Sequence, residues 1–220
     1  MSDPQASSWF DKVIDFFRKL FGSDEKPAPP PPPSPPQPAP GRFIAIDAGH
    51  GGTDTGAINQ TAGINEKTLT LAIAQKLQNV LIARGHQVRM IRSDDTFIEL
   101  TGRAEIANQA GTEIFVSIHC NSAETSTAVG MESYHHTNAT PGRDLAEKIH
   151  RALIAAFPTH KNRGVKSANF VVLRETQMPA CLIETEFISN NQQAQFLKDA
   201  TNQQKIATAI ADGIKTYFQS

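Results

Sequence analysis

The sequence predicts a three-layer α/β fold in which a mostly parallel or mixed six-stranded sheet carries helices on both faces. From Arg42 onward, short apolar segments typical of strands alternate with longer segments of helical periodicity, and this order is typical of the fold class. The segment 113–119, EIFVSIH, is almost entirely apolar, as expected for a strand covered on both faces. The chain has 220 residues, and the part after Gly41 is long enough for one such domain with a real core.

The predicted elements follow one another along this part of the chain. Strands are predicted at 42–47, 86–92, 113–119, 130–136, 169–174 and 180–187. Helices are predicted at 66–84, 99–111, 142–157 and 202–218. In the first helix, Asn65 is placed to cap the start and Gly85 to end it. The apolar stripe of that helix consists of Leu69, Ile73, Leu77, Val80 and Leu81.

Residues 1–26 have a different character and predict an amphipathic helix. Within SSWFDKVIDFFRKLFG, one arc of the helix is apolar and the opposite arc is charged. The segment is shorter than the roughly 20 apolar residues of a membrane span. Its charges also interrupt the apolar core that a secretory signal peptide needs, so no export route is recognisable. We expect residues 8–21 to bind a membrane surface or a partner protein; the alternative is packing against the chain's own domain.

A proline-rich linker is predicted at 27–40, which holds ten of the fourteen prolines. Such a segment favours polyproline II structure of roughly 3.1 Å per residue, or about 40 Å in all. A proline-rich ligand for another protein module is the alternative. The predicted organisation is therefore a helix at 1–26, a linker at 27–40 and a catalytic domain at 41–220.

Composition excludes some classes of function. The formal net charge is -1, so nothing indicates a nucleic-acid partner. The two cysteines, Cys120 and Cys181, are too few for a disulfide framework.

Polar residues at the ends of three predicted strands indicate the site. His50 follows the first strand, His119 ends the third, and Glu184 lies near the end of the last. Ligands of open α/β sheets bind beyond the carboxyl ends of the strands, so these side chains are expected to converge. Glu66, in the first turn of the first helix, is expected at the same edge. Two imidazoles and one carboxylate form the ligand set of a catalytic zinc site that keeps a position for water.

The glycines around His50 suit a sharp turn that leaves room for a metal and a substrate. They do not form a phosphate loop, because no Lys-Ser or Lys-Thr pair follows them. A dinucleotide fingerprint would need a helix directly after the glycines, and residues 59–63 intervene. A single strand-end histidine is more often structural than a metal ligand, so the metal prediction depends on the joint pattern.

These residues resemble the four motif blocks of the zinc-dependent N-acetylmuramoyl-L-alanine amidases of the type 3 amidase family. The blocks are IDAGHGGTDTGA, NEK, SIHCN and MPACLIETEFISN, and the resemblance covers about residues 42–218. It implies that His50, Glu66 and His119 bind zinc and that Glu184 is the catalytic glutamate. It also implies hydrolysis of the amide between N-acetylmuramic acid and the first L-alanine of the peptidoglycan stem peptide, at the cell wall or in the periplasm.

The chain departs from the family pattern at two positions. Glu186 stands where a small residue is usual, and on a regular strand it would share a face with Glu184. The resemblance favours Glu184 as the catalyst, whereas strand geometry alone leaves both carboxylates open. Cys120 is the other departure, and we expect Cys120 and Cys181 to be buried apolar side chains.

Three further polar residues have expected roles. Asn121 is expected to donate a hydrogen bond to substrate, with loop capping as the alternative. Asp47 is expected either to orient His50 or to be structural, and Arg103 to anchor a loop. Some family members carry an inhibitory helix between the second histidine and the catalytic glutamate, but residues 120–183 leave it little room. We expect the catalytic domain to be a monomer. The alternative functions are those of a zinc peptidase, a deacetylase acting on the cell wall, or a non-catalytic wall-binding protein.

Overall fold

The computed structural model describes residues 11–16, 19 and 41–220. The chain divides into two compact units, Met1–Pro38 and Ala39–Ser220. In the first unit, residues 11–16 and 19 are helical, and the amphipathic helix at 1–26 stays a prediction. The rest of that predicted helix and the whole predicted linker at 27–40 lie outside the described residues.

The second unit alternates strands and helices. The strands are β1 Phe43–Ala48, β2 Ile58–Asn59, β3 Ile64–Asn65, β4 Gln87–Met90, β5 Ile114–Asn121, β6 Met131–His135, β7 Asn162–Ser167 and β8 Ala180–Phe187. The helices are α1 Glu66–Ala83, α2 Leu100–Ala110, α3 Thr140–Ala156, α4 Val171–Arg174, α5 Asn191–Lys198 and α6 Ala200–Phe218.

Six strands form one mixed sheet in the order β4-β1-β5-β8-β6-β7, and β2 pairs with β3 in a separate hairpin. The strands β4, β1, β5 and β8 are mutually parallel. β6 runs antiparallel to β8 and parallel to β7. The predicted fold class, a mixed six-stranded sheet with helices on both faces, is confirmed.

The two faces of the sheet are covered to different extents. The larger apolar core lies under α1, α3, α5 and α6 and includes Ile46, Val116 and Ile183 from the strands. The smaller core, with Phe115 and Leu182, lies under α2 and the single turn of α4. This thinner cover leaves the carboxyl ends of β1, β5 and β8 accessible on that face.

The first and last residues of the domain lie close together near the amino-terminal ends of the parallel strands, opposite their carboxyl ends. Arg42, next to the start of β1, has its guanidinium 4.8 Å from the centre of the Phe218 ring at the end of α6. The same guanidinium pairs with Glu113, just before β5, at 2.9 Å. Residues 42 and 218 therefore lie at the amino-terminal ends of the parallel strands.

The sixth strand of the sheet is not the one that the sequence predicts. Residues 169–174, NFVVLR, include the short helix α4, and β7 at Asn162–Ser167 takes the edge position instead. The apolar residues Val172 and Leu173 are buried in the smaller core as part of a helical turn. β7 has the sequence NRGVKS and is only half-buried, so it lacks the apolar alternation that indicates a strand.

Helix α5 and the β2–β3 hairpin are also absent from the predicted elements.

Among the helices of the described residues, none combines the length and the apolar composition that crossing a membrane requires.

Candidate metal centre

The chain leaves β1 through a turn that aims His50 at the end of β5. His50 has a φ of 63°, in the left-handed region that residues with a side chain rarely adopt. Its carbonyl oxygen accepts a hydrogen bond of 2.8 Å from Arg103. A Cβ atom added at Gly49 would lie 2.3 Å from the His119 ring, so only glycine lets the two strand ends approach this closely.

Two buried arginines hold this turn by its carbonyl oxygens. Arg92 donates to the carbonyls of Ala48 and Gly49, each at 2.8 Å. Arg103 donates to the carbonyls of Ala48 and His50 at 2.9 and 2.8 Å. The expectation that Arg103 anchors a loop agrees with these contacts. Nothing in the sequence distinguishes Arg92 from a surface arginine, so only the structure reveals its role.

His50, Glu66 and His119 form a compact cluster at the carboxyl edge of the sheet. Nε2 of His50 lies 3.1 Å from Oε2 of Glu66, and Nδ1 of His119 lies 2.9 Å from Oε1. One ligand atom from each of the three residues lies within 4.8 Å of the others. The arrangement therefore offers two ring nitrogens and a carboxylate to a single ion.

Glu66 is fixed in this position by the start of α1. Asn65 caps the helix by accepting a hydrogen bond from the backbone N–H of Thr68. The Glu66 carboxylate is buried and also accepts from the backbone N–H groups of Ala57 and Cys120 at 3.1 and 2.9 Å. Burial raises the pKa of Glu66, but its contacts with His119 and His50 outweigh burial and hold that pKa well below its usual range.

Both histidines respond to the Glu66 charge. Burial lowers the pKa of His119, but the hydrogen bond and charge of Glu66 raise it to about 9. The pKa of His50 is also raised, since contacts with Glu66 outweigh the opposing effect of burial. The cluster therefore gathers positive charge on its rings when no metal neutralises the carboxylate.

The residue that orients His50 is Asp54. Nδ1 of His50 and Oδ2 of Asp54 are 2.8 Å apart. Asp47 instead accepts from Arg103 at 2.9 Å and from Ser117 at 2.7 Å, and it is buried. The structural alternative for Asp47 is therefore the one that the contacts support.

Glu184 lies next to this cluster and has an unsatisfied oxygen. It is paired with His119 across β5 and β8. Oε2 of Glu184 is buried and has no hydrogen-bond partner within the described residues. Burial raises the pKa of Glu184 to about 7, and the charge of His119 only partly opposes this.

Glu186 has a different environment. Its carboxylate accepts from the backbone N–H of Gly130 at 2.7 Å and lies 2.8 Å from Nδ1 of His160. The register between β5 and β8 shifts after His119, so the regular alternation that would put both glutamates together is interrupted. Its oxygens are thus already used, whereas Glu184 retains a free one. Cys120 and Cys181 are buried and free, as expected.

A charged cluster that the sequence analysis missed continues the row of side chains beyond Glu184. Glu132 is the cross-strand partner of Glu184 and contacts Arg163, Lys166, Tyr134 and Asn121. Burial raises the pKa of Glu132, but its contacts with Lys166 and Arg163 lower it to about 2. No motif indicates this cluster, because its members come from three separate segments.

Asn121 belongs to that cluster. Its amide nitrogen donates to Glu132 at 2.5 Å, and its amide oxygen accepts from the backbone N–H of Ser122. A hydrogen bond from Asn121 to substrate stays a prediction.

A cleft of about 610 Å³ opens over His50, His119 and Glu184. Its walls are mainly apolar and come from the segment before α2 and from the region of α4. They include Phe97, Ile98, Leu100, Phe170, Val172 and Leu182. Phe97 and Phe170 are the exposed aromatic residues of these walls, at 41% and 38%. The polar end of the cleft thus holds His50, His119 and the unsatisfied carboxylate of Glu184, and apolar walls with a few polar groups are typical of a ligand-binding site.

Comparison with known proteins gives matches over nearly all of the second unit. Residues 44–216 match the protein family Amidase_3, described as N-acetylmuramoyl-L-alanine amidase. The chain is 40% identical to the N-acetylmuramoyl-L-alanine amidase LytC of Bacillus subtilis, over 81% of the chain and 36% of LytC. It is 33% identical to the amidase AmiA of Escherichia coli, over 80% of the chain and 76% of AmiA. The chain therefore spans about a third of the first relative and three quarters of the second.

Solved amidase structures have the same fold. The N-acetylmuramoyl-L-alanine amidase of Clostridium difficile 630 is 36% identical, with a TM-score of 0.80 over 83% of this chain and 99% of that one. The catalytic domain of CwlV from Paenibacillus polymyxa is 37% identical, with a TM-score of 0.77 over 81% of this chain and 98% of that one. The CwlD amidase of Clostridioides difficile, solved in complex with the GerS lipoprotein, is 32% identical with a TM-score of 0.78, over 81% of this chain and 98% of that one.

Proposed function

The chain belongs to the N-acetylmuramoyl-L-alanine amidase family, and from that premise we propose that residues 41–220 are a zinc-dependent amidase domain. The family consists of cell-wall hydrolases. The reaction is hydrolysis of the amide between N-acetylmuramic acid and the first L-alanine of the stem peptide. The observation that carries the proposal is the three-residue cluster of His50, Glu66 and His119 with the unsatisfied oxygen of Glu184 beside it.

The donor set fits a zinc ion. His50, Glu66 and His119 supply two imidazoles and a carboxylate, the protein ligands of catalytic zinc sites that keep one position for water or substrate. Zinc in such a site supplies a Lewis acid for the scissile carbonyl and acidifies water towards a pKa of about 7. Asp54, at 2.8 Å from Nδ1 of His50, fixes the ring orientation and leaves Nε2 for the metal.

Glu184 is the general base of the proposed reaction. Its Oε2 has no partner in the described part of the chain, so it can accept a proton from the attacking water. It then donates that proton to the amine nitrogen of L-alanine, which leaves as the C–N bond breaks. In the metal-free protein, burial raises the pKa of Glu184 to about 7, and a raised pKa favours a carboxyl group that both gains and loses a proton near neutral pH.

The place of action and the partners are also part of the proposal. The substrate, peptidoglycan, places the enzyme at the cell wall or in the periplasm. Residues 8–21 bind a membrane surface or a partner protein. Asn121 contributes a hydrogen bond to substrate after small adjustment of its contact with Glu132, and the catalytic domain acts as a monomer.

The test is digestion of intact peptidoglycan with the full chain, followed by mass spectrometry of the new chain ends. We expect free amino groups on L-alanine and free lactyl carboxyl groups on muramic acid. New ends inside the stem peptide would identify a peptidase, and released acetate a deacetylase. Unchanged peptidoglycan would indicate a wall-binding protein, and each of these three results would overturn the proposal.

Two substitutions test the assigned residues. His119→Ala should lower the bound zinc and abolish cleavage. Glu184→Gln should keep the zinc and reduce turnover about 10² to 10⁴-fold, since it removes a general base and retains the shape. If Glu186→Gln stops turnover while Glu184→Gln remains active, the catalytic carboxylate has been assigned wrongly.

A further inference from the structure

The charged cluster around Glu132 lies in the same row of side chains across the sheet as Glu184 and His119. His119 pairs with Glu184, and Glu184 pairs with Glu132, so these residues occupy one row on neighbouring strands. Directly paired residues place their side chains on the same face. Arg163 and Lys166 extend this row from the edge strand β7 to the Glu132 carboxylate.

This cluster also adjoins the cleft. The Tyr134 ring, whose hydroxyl donates to Glu132 at 2.8 Å, packs edge-on against Phe170 with 5.2 Å between ring centres. Phe170 and Glu184 both line the cleft. A substrate that lies in the cleft and extends past Glu184 towards β7 therefore meets Arg163 and Lys166.

The charges of the cluster do not cancel. Glu132 is one buried carboxylate with a side chain 4% exposed, and it faces two cations. The Arg163 and Lys166 side chains are 30% and 41% exposed, so their remaining N–H groups reach solvent. Arg163 uses Nε for Glu132, and its terminal nitrogens have no hydrogen-bond partner in the described part of the chain. The group therefore presents a net charge of about +1 with unused donors.

Stability alone is a poor explanation for this arrangement. Replacing a buried ion pair by apolar side chains is often neutral or stabilising, because the charges lose their hydration. Here the buried carboxylate instead holds a guanidinium and an ammonium at fixed positions beside the cleft. Fixed cations of this kind recognise carboxylates through charge-assisted hydrogen bonds.

The spacing suits a stem peptide. Adjacent strands are about 4.8 Å apart, so β7 lies about 10 Å from β8, and long side chains from β7 shorten that gap. The second residue of a stem peptide is an isoglutamyl residue whose free carboxylate lies roughly 6 to 7 Å from the scissile nitrogen along extended chain. The third residue carries a further carboxylate when it is a diamino diacid.

We propose that Arg163 and Lys166, held in place by Glu132, form a subsite for a free side carboxylate of the stem peptide. The subsite makes the enzyme prefer stem peptides with a free carboxylate over those in which that group is amidated. This inference rests on the proposed amidase function and specifies its substrate class.

The experiment compares soluble muramoyl tripeptides in pairs. One pair has a free or an amidated carboxylate at the second residue, and the other has diaminopimelate or lysine at the third. The readout is the ratio of kcat/KM within each pair, measured with the full, zinc-loaded chain. We expect the parent protein to favour the carboxylate form of at least one pair about 10- to 100-fold, the range of a charge-assisted contact.

Lys166→Met and Arg163→Gln should bring that ratio towards one, whereas Lys166→Arg should keep most of it. Lys215→Gln, which removes an exposed cation from α6, is the matched control and should leave the ratio unchanged. Zinc content and circular dichroism of each variant confirm that it is folded. A change confined to one pair assigns the subsite to that carboxylate.

Equal kcat/KM values within both pairs, or ratios that survive Lys166→Met and Arg163→Gln, would overturn the subsite. Failure of the amidase proposal looks different, because the parent protein would then release no L-alanine amino groups from any of the four substrates.

Discussion

At the scale of single residues, the candidate ligand His50 is held by neighbours outside the candidate metal cluster. Its left-handed φ of 63° would cost roughly 1–2 kcal/mol in isolation. Arg103 bonds its carbonyl and Asp54 bonds its ring, so the backbone and the side chain are each held separately. The ligand geometry is thus a property of this small network.

Asp54→Ala should weaken zinc binding about 10- to 100-fold, because it removes the group that orients the His50 ring. Dissociation constants from competition with a chelator would measure this, with Asp144→Ala on α3 as a matched loss of an exposed carboxylate. Equal zinc affinities for the two variants would contradict the role of Asp54.

Zinc affinity should also rise with pH. Since the pKa of His119 is about 9 without metal, its ring carries a proton at neutral pH and must lose it to bind zinc. The association constant should therefore increase by up to about tenfold per pH unit between roughly pH 7 and pH 8.5. Competition with a chelator of known protonation behaviour would measure it, and an affinity that is flat with pH would contradict the prediction.

The sequence predicts much of this residue-level picture, but not its supporting contacts. The side chains of His50, Glu66 and His119 converge as the strand-end rule requires. Asp54 could not be chosen over Asp47 in advance, because the choice depends on the left-handed turn at His50. Glu132 could not be found at all, since the pairing of β6 with β8 brings it to Glu184.

At the scale of elements, the loop between β1 and α1 is built around close approaches. A Cβ atom added at Gly56 would lie 2.6 Å from Cδ2 of His50 and 2.7 Å from Oε2 of Glu66. Gly63, further along the same connection, has a similar positive φ of 60° but no atom within 4 Å of an added Cβ. Substitutions at these two glycines therefore distinguish the effect of backbone strain from the effect of displacing His50 and Glu66.

Gly56→Ala should reduce kcat/KM about 100-fold or more, since a shift of about 1 Å at a catalytic group has an effect of this size. Gly63→Ala should cost a similar roughly 1 kcal/mol of backbone strain and leave activity near that of the parent protein. Steady-state kinetics and thermal unfolding of both variants would test this. Equal losses of activity would mean that strain alone is responsible.

The predictability of the elements follows from their burial. β1, β5 and β8 each begin with a buried, mainly apolar segment, and all three were predicted within two residues of their observed bounds. β7 lies at the edge of the sheet, with one neighbour and a half-buried sequence, so tertiary pairing alone makes it a strand. The segment VVLR has the composition of a strand but forms the single helical turn of α4. That one turn is sufficient to bury Val172 and Leu173 in the smaller core.

At the scale of the whole molecule, no helix of the described residues covers the cluster of His50, Glu66 and His119. Between His119 and Glu184 the helices are α3 and α4, and α3 packs on α6 in the larger core. α4 contributes Val171 and Val172 to the wall of the cleft. His50 and His119 keep side-chain exposures of 22% and 20%, so the site is open.

The fragment 41–220 should therefore cleave soluble muramoyl peptides as fast as the full chain, without an activating partner. Only the full chain should sediment with lipid vesicles or a partner complex. The fragment should stay in solution, because it lacks residues 8–21. A zinc-loaded but inactive fragment that a cell-envelope extract activates would contradict the first expectation. Lower thermal stability of the fragment would instead indicate that the amphipathic helix packs on the domain.

The meeting of residues 42 and 218 at the amino-terminal edge of the sheet determines how the domain can be handled. Both ends lie across the sheet from the cleft, so either one can be attached to a bead or sensor surface with the cleft facing outward. Their proximity also permits circular permutation, in which a short linker joins Ser220 to Arg42 and new ends open in the exposed loop segment at 124–127. In such a permuted chain, the order of the elements along the sequence changes while the residues around the cleft stay the same.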